Sequence, residues 1–264
     1  GGGGGYASSP CSAAGSGVCG QGNPGGKGRR PGVGCGGGGG GGSAAAGGCS
    51  ASPNAGGVGG TGTSLTSTIP DITNYGGAST PLFPAGTHPG TFGAGGGGGY
   101  YTCGGCNKAP NTIGGKGGGD NTTAEAGTFG GGGGGKGNVT GPVSDGGGAN
   151  GGDGLVAIHE FSTTGPGATG IFSMEEVYDA RLNDKWPGAA PFGTINILAI
   201  GGGGSSMRSY AGGGGAGGYR FNTGLELSSG IDYTVTVGSG GAGAFNTENG
   251  EGTGSDTSFS GPDI

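Results

Sequence analysis

Hydrophobic positions in this chain are sparse and gathered into a few short segments. Gly154-Leu-Val-Ala-Ile-His-Glu-Phe161 and Thr194-Ile-Asn-Ile-Leu-Ala-Ile200 are mostly apolar, and Asp232-Tyr-Thr-Val-Thr-Val237 alternates. All three carry β-branched residues, and their length and composition predict strands at 154–161, 194–200 and 231–237. One segment has helical spacing. Ser173-Met-Glu-Glu176 is a capping box, Met174, Val177, Tyr178 and Leu182 fall on one face, and Trp186-Pro187 ends the pattern. These signals predict a short helix over 172–186, whose apolar face must pack on a neighbour, in this chain or in another copy.

Between these segments the pattern is neither apolar nor ordinarily polar; it is glycine. Eighty-five of 264 residues are glycine, in uninterrupted runs such as Gly1–Gly5, Gly36–Gly42, Gly95–Gly99, Gly130–Gly135, Gly201–Gly204 and Gly212–Gly215. A collagen triple helix needs glycine at every third position and abundant proline, so consecutive glycines with only 14 prolines exclude it. A flexible linker conflicts with the predicted strands and with eight tyrosines, nine phenylalanines and six cysteines. The remaining reading is a bundle of polyglycine II helices, three residues per turn, whose outward-pointing backbone groups satisfy one another between neighbours. Only small residues fit inside such a bundle, which accounts for Ser43-Ala-Ala-Ala46, Ala211 and Ala216 within or beside the runs. The expected fold is therefore mostly irregular and β: polyglycine II helices with short strands and one short α-helix.

Crude repeats support this reading. Gly90-Thr-Phe-Gly93 and Gly127-Thr-Phe-Gly130 each precede a glycine run, and Gly-Lys-Gly recurs at Lys27, Lys116 and Lys136. An aromatic or charged residue at the bundle margin, followed by a turn, explains both. A Pro-rich stretch over 65–90 lacks a glycine run and is expected to project from the body.

The cysteines, Cys11, Cys19, Cys35, Cys49, Cys103 and Cys106, lie in the first 106 residues. An even number among glycine loops predicts up to three disulfides, with the pairing open. Free thiols, zinc at Cys103-Gly-Gly-Cys106 and a redox dithiol at that pair are the rival readings. Disulfides imply an extracellular or virion-surface location. Asn121-Thr-Thr123 and Asn138-Val-Thr140 are glycosylation sequons.

Catalytic patterns are missing. Matches to G-x-G-x-x-G are trivial in polyglycine, and Lys27, Lys116 and Lys136 are each followed by Gly rather than by the Ser or Thr of a P-loop. His88 and His159 have no evident triad partners, and His159 is expected on the exposed face of its strand. Asp120, Asp145 and Asp153 lack regular calcium-loop spacing. No enzyme activity and no cofactor are expected. A formal net charge of −6 (10 − 16), with no basic cluster beyond Lys27-Gly-Arg-Arg30, makes nucleic acid a poor partner. No apolar run approaches the roughly 18 residues of a membrane span. The chain opens inside a glycine run without Met or a signal peptide, so it is expected to be a processed product or part of something longer.

The order Phe172–Pro187, then Ile195-Asn-Ile-Leu-Ala-Ile-Gly-Gly-Gly-Gly204, then Gly213-Gly-Gly-Ala-Gly-Gly-Tyr219, then Tyr233-Thr-Val-Thr-Val-Gly-Ser-Gly-Gly-Ala-Gly243 resembles the glycine-rich domains of bacteriophage tail fibres and related microbial surface proteins. The resemblance covers 171–260 and, in composition only, the earlier part. It implies extracellular fibres or adhesins and no catalysis. In such domains a strand like 194–200 opens the unit and one like 154–161 closes it; here the closing strand comes first. The expected organisation is a glycine body over 1–161, a helical linker over 162–192, and the opening strands of a second unit over 193–264, completed by a neighbouring copy. Candidate interface residues are Leu155, Val156, Ile158, Met174, Val177, Tyr178, Leu182, Trp186, Ile195, Ile197, Leu198 and Ile200. The expected function is a structural subunit or repeat of a head-to-tail extracellular filament whose partner is itself. The alternative is a surface adhesin that contacts cell-surface glycans or proteins through 74–88 and 20–30. Ice binding is a distant third, because the threonines lack a repeat.

Overall fold

The computed structural model describes residues 1–5, 13–29, 36–51, 55–64, 91–100, 114–118, 123–137, 147–160, 178, 182, 192–207, 211–228, 231–244, 252–262 and 264. Within them the chain is mostly strand and irregular, with three small antiparallel sheets and no helical element beyond the two isolated helical residues Tyr178 and Leu182. The predicted helix over 172–186 lies outside the described residues, apart from Tyr178 and Leu182, both exposed.

The largest sheet has the order β3-β4-β5: Leu155–Glu160, Phe192–Ile200 and Tyr219–Leu227. β4 is central and the most apolar segment of the chain, as a strand covered on both sides should be. β3 pairs with it from Leu155↔Ile200 to Glu160↔Ile195. Two of the predicted strands thus form and pair with each other within one chain. The third shrinks to β6, Thr234–Thr236, which pairs with β7, Ser258–Ser260. Tyr233 stacks on Phe259 there at 5.6 Å between ring centres. The short pair β1, Thr63–Ser64, and β2, Thr91–Phe92, completes the set.

Most of the body is organised by its glycine runs, and the hydrogen bonds of Gly36–Gly42 show how. Amides of Gly37 and Gly40 donate to the carbonyls of Gly99 and Gly96, those of Gly38 and Gly41 to Gly5 and Gly2, and those of Gly39 and Gly42 to Gly48 and Ala45. Carbonyls of Gly37 and Gly40 accept from Gly57 and Gly60, those of Gly38 and Gly41 from Gly213 and Ala216, and those of Gly36, Gly39 and Gly42 from Arg29, Gly26 and Asn23. Every third residue therefore addresses the same neighbour, and the six neighbours form a closed ring. Adjacent members of that ring bond to each other as well: Gly95 to Gly60, Gly96 to Gly214, Gly4 to Gly213, Gly5 to Gly26, Gly47 to Pro24 and Gly48 to Val58. Neighbours run both parallel and antiparallel.

This geometry explains why the runs are unbroken. A Cβ on any of Gly37–Gly42 would sit 1.9–2.2 Å from a backbone oxygen of a neighbouring segment. In a structure with a single crowded axis only every third residue must be glycine. Here the chain is crowded on all sides, so every position must be.

The apolar core sits at the margin of the bundle. Phe92, Ala94, Leu198 and Ile200 are buried together, with Phe129, Leu155, Ala157, Tyr219 and Phe221 packed against them. The two Thr-Phe-Gly repeats supply Phe92 and Phe129, and the glycine after each, Gly93 and Gly130, has a left-handed backbone with φ of 66° and 75°. The aromatic anchors the margin; the glycine turns the chain into its run.

Candidate assembly surface

The segment after β4 carries the sheet into the bundle. Amides of Gly201 and Gly204 donate to Gly218 and Gly215, those of Gly202 and Ser205 to Ser255 and Gly252, and those of Gly203 and Ser206 to Gly152 and Ala149. Carbonyls of Gly203 and Ser206 accept from Gly241 and Ala244, and those of Gly204 and Met207 from Gly133 and Lys136. The following run inserts among N-terminal segments: Gly213 and Ala216 donate to Gly38 and Gly41, while Gly214 and Gly217 donate to Gly133 and Gly130. The C-terminal part and the N-terminal body thus share one hydrogen-bonded lattice in this copy.

Small polar side chains stand in for backbone groups where the lattice meets something else. Ser206 is fully buried; its Oγ donates to the Gly134 carbonyl and accepts from the Ala149 amide. Ser205 Oγ exchanges hydrogen bonds with the amide and carbonyl of Gly252 at 2.8 and 3.0 Å. Asp153 Oδ1 accepts from the Gly240 amide at 2.8 Å, and Asn150 Oδ1 from Gly243 at 2.7 Å. Asp153 therefore caps a lattice edge. In β4, Asn196 is buried, and its Oδ1 accepts from Gly224 where the β4–β5 register slips.

The predicted interface residues divide sharply. Ile195, Ile197, Leu198 and Ile200 are buried in this chain, so a contact through them with another copy requires β4 to leave this sheet for an equivalent one. Leu155 and Val156 are half-buried and Ile158 is exposed on the edge strand β3. Met174, Val177 and Trp186 lie outside the described residues, as does the side chain of His159. Of the cysteines, Cys19 and Cys49 are free, exposed thiols; Cys49 Sγ accepts from the Lys27 amide at 3.4 Å. Neither makes the disulfide expected of it, and Cys11, Cys35, Cys103 and Cys106 lie outside the described residues. So do Asn121, Asn138, His88, Asp120, Asp145 and the 65–90 stretch. No helix among the described residues is long and apolar enough to cross a membrane.

Residues 184–263 match the glycine-rich domain family. The match opens just before β4 and takes in β5 to β7 with the runs between them. It is to glycine-rich domains in general and carries nothing particular to tail fibres. Neither a curated protein nor a solved structure matches the chain. The matched stretch thus contributes the central strand of the main sheet and the 201–217 segments that interleave with the N-terminal body.

Two features escaped sequence reasoning. β5 follows a glycine run directly and contains Gly224, with φ of 68°, which hid its alternation. Asn196 is a polar residue in a mostly apolar strand, and only the bulge opposite it gives it a purpose. The Thr-Phe-Gly repeats, in contrast, were a sufficient signal for the margin of the bundle.

Proposed function

We propose that this protein is a structural subunit, or one repeat, of an extracellular or virion-surface filament. Its runs act as polyglycine II helices and its copies join head to tail. The period of three in the hydrogen bonding of 36–42 and of 201–206 supports the helical reading. The observation that carries the assembly reading is the β3–β4 joint. Its two strands lie on opposite sides of 161–191, and β4 leads straight into the lattice. The same pairing can be made between copies, strand for strand, by exchanging the 193–264 part. Such exchange is a low-cost route to assembly, and a head-to-tail exchange gives an open filament when its rotation does not close a ring. At high local concentration the intermolecular joint competes with the internal one, because both joints are made of the same strand pairing.

Negative-stain microscopy and sedimentation over a concentration series test this. Fibres with a regular axial repeat are expected. Monomers at every concentration would overturn the filament, and compact particles that bind cells would favour the adhesin, with Lys27 and Arg29 in its exposed contact segment.

A further inference from the structure

Five of the six lattice positions around 201–206 are occupied, by 215–218, 252–255, 149–152, 241–244 and 133–136. The sixth would lie where the carbonyls of Gly202 and Ser205 point, and these accept no hydrogen bond from the described residues. Bonds close the ring elsewhere: Gly217 to Gly130, Gly152 to Gly131, Gly151 to Gly241 and Ser255 to Ser239. Only 252–255 and 215–218 fail to meet. Between them lies a groove of about 620 Å³, lined by Gly1, Gly202, Ser205, Gly215, Gly218 and Gly254 among others.

The opposite wall is complementary. The amides of Gly215 and Gly218, three residues apart, donate no hydrogen bond to the described residues, and the carbonyl of Gly1 accepts none. Unpaired donors and acceptors at a spacing of three are what a threefold extended strand addresses, and leaving such groups unpaired on binding a bulkier ligand would be costly. The steric map agrees. A Cβ on Gly202 or Gly203 would strike Ser239 or Gly131 oxygen at 2.0 and 2.1 Å, whereas a Cβ on Gly204 would find its nearest atoms at 3.5 Å. Gly204 therefore turns its open side to the groove, where a docked strand's carbonyl would come to rest.

Building on the copy-to-copy glycine packing proposed above, we propose that this groove is a vacant lattice position that receives one extended glycine-rich segment of a second copy. The second copy is the occupant because this chain's six runs of four or more glycines, Gly1–Gly5, Gly36–Gly42, Gly95–Gly99, Gly130–Gly135, Gly201–Gly204 and Gly212–Gly215, already hold lattice positions. A glycine-rich edge segment of another copy offers the same threefold spacing with few Cβ atoms, so two bodies can merge on a common lattice.

Gly204→Ala tests the site. Its methyl group fits this chain but occupies the docked strand's carbonyl position. The probe is an oligoglycine peptide flanked by lysines, compared with one carrying a central leucine. The parent protein is expected to bind the first and not the second, and the peptide is expected to shift the protein to smaller particles in sedimentation. Gly204→Ala is expected to keep the parent's unfolding midpoint while losing about tenfold or more in peptide affinity and in self-association. If Gly204→Ala proves unstable, Thr253→Trp, on the exposed wall of the groove, supplies the same block. A parent that assembles normally, ignores the peptide and is indifferent to either block overturns the groove while leaving the filament standing. A parent that binds the peptide yet stays monomeric overturns the second copy as occupant, and the filament with it.

Discussion

At the scale of single residues, the hydrogen atoms of glycine are the structural elements. Gly40 faces the Gly214 oxygen so closely that a Cβ would lie 1.9 Å away. Gly40→Ala forces two backbones apart and is expected to destabilise the protein by about 3 kcal/mol or more, beyond most overpacking changes because backbone cannot rotate aside. Gly204→Ala meets nothing closer than 3.5 Å and is expected within about 1 kcal/mol of the parent. Urea denaturation of the two variants measures this contrast; equal losses would contradict crowding as the reason for the runs. Tyr219 offers a pH test. Desolvation by burial raises its phenol above the ordinary value of 10.0. The unfolded chain therefore gives up this proton first. Stability is unaffected by the group below about pH 10 and falls as pH rises from there through the folded pKa. Tyr219→Phe is expected to flatten that alkaline slope in a set of unfolding curves.

At the scale of elements, β4 joins two kinds of order. Its apolar side chains make a conventional core with Phe92, while its C-terminal end feeds a lattice held by backbone groups and a few small side chains. Phe92 is fully buried, and Phe92→Ala is expected to cost about 3–5 kcal/mol. The buried Asn196 is held to Gly224 at 3.1 Å. Asn196→Leu leaves that amide unpaired at the bulge and is expected to cost about 1–3 kcal/mol, read as faster hydrogen exchange at Gly224 than anywhere else in β5. β3 and β4 were legible from runs of β-branched residues. β5 was not, because alternation across a left-handed glycine loses its phase.

At the scale of the molecule, the body is held chiefly by backbone pairing rather than by apolar burial. Exposing polar backbone on unfolding lowers the heat capacity, while exposing apolar surface raises it. Calorimetry is expected to give a heat-capacity change clearly below the usual 12–15 cal/mol/K per residue. A value in the usual range would mean that the core at the bundle margin dominates the energetics. The edges of a lattice built this way carry unpaired backbone groups wherever a neighbour is missing. That property links the proposed function to the groove beside 201–206.

The sequence by itself determined the material of this protein. Glycine runs broken only by small residues and flanked by strand-like segments point to close backbone packing, and the two apolar segments and the alternating one read as strands. The Thr-Phe-Gly repeats marked where aromatic anchors meet turns. Which segments become neighbours was decided by the tertiary structure alone. One glycine run is chemically the same as another, so nothing local distinguishes Gly99 from Gly5 as a partner for 36–42. Register comes from the few segments that differ: the β3–β4 pairing, the Phe92 and Phe129 anchors and the seryl and asparaginyl caps. The order of strands suggested a body left open for a neighbour. The structure closes β4 on β3 within one chain and leaves a gap elsewhere, between 215–218 and 252–255, because hydrogen bonding in a lattice depends on the position of every neighbour.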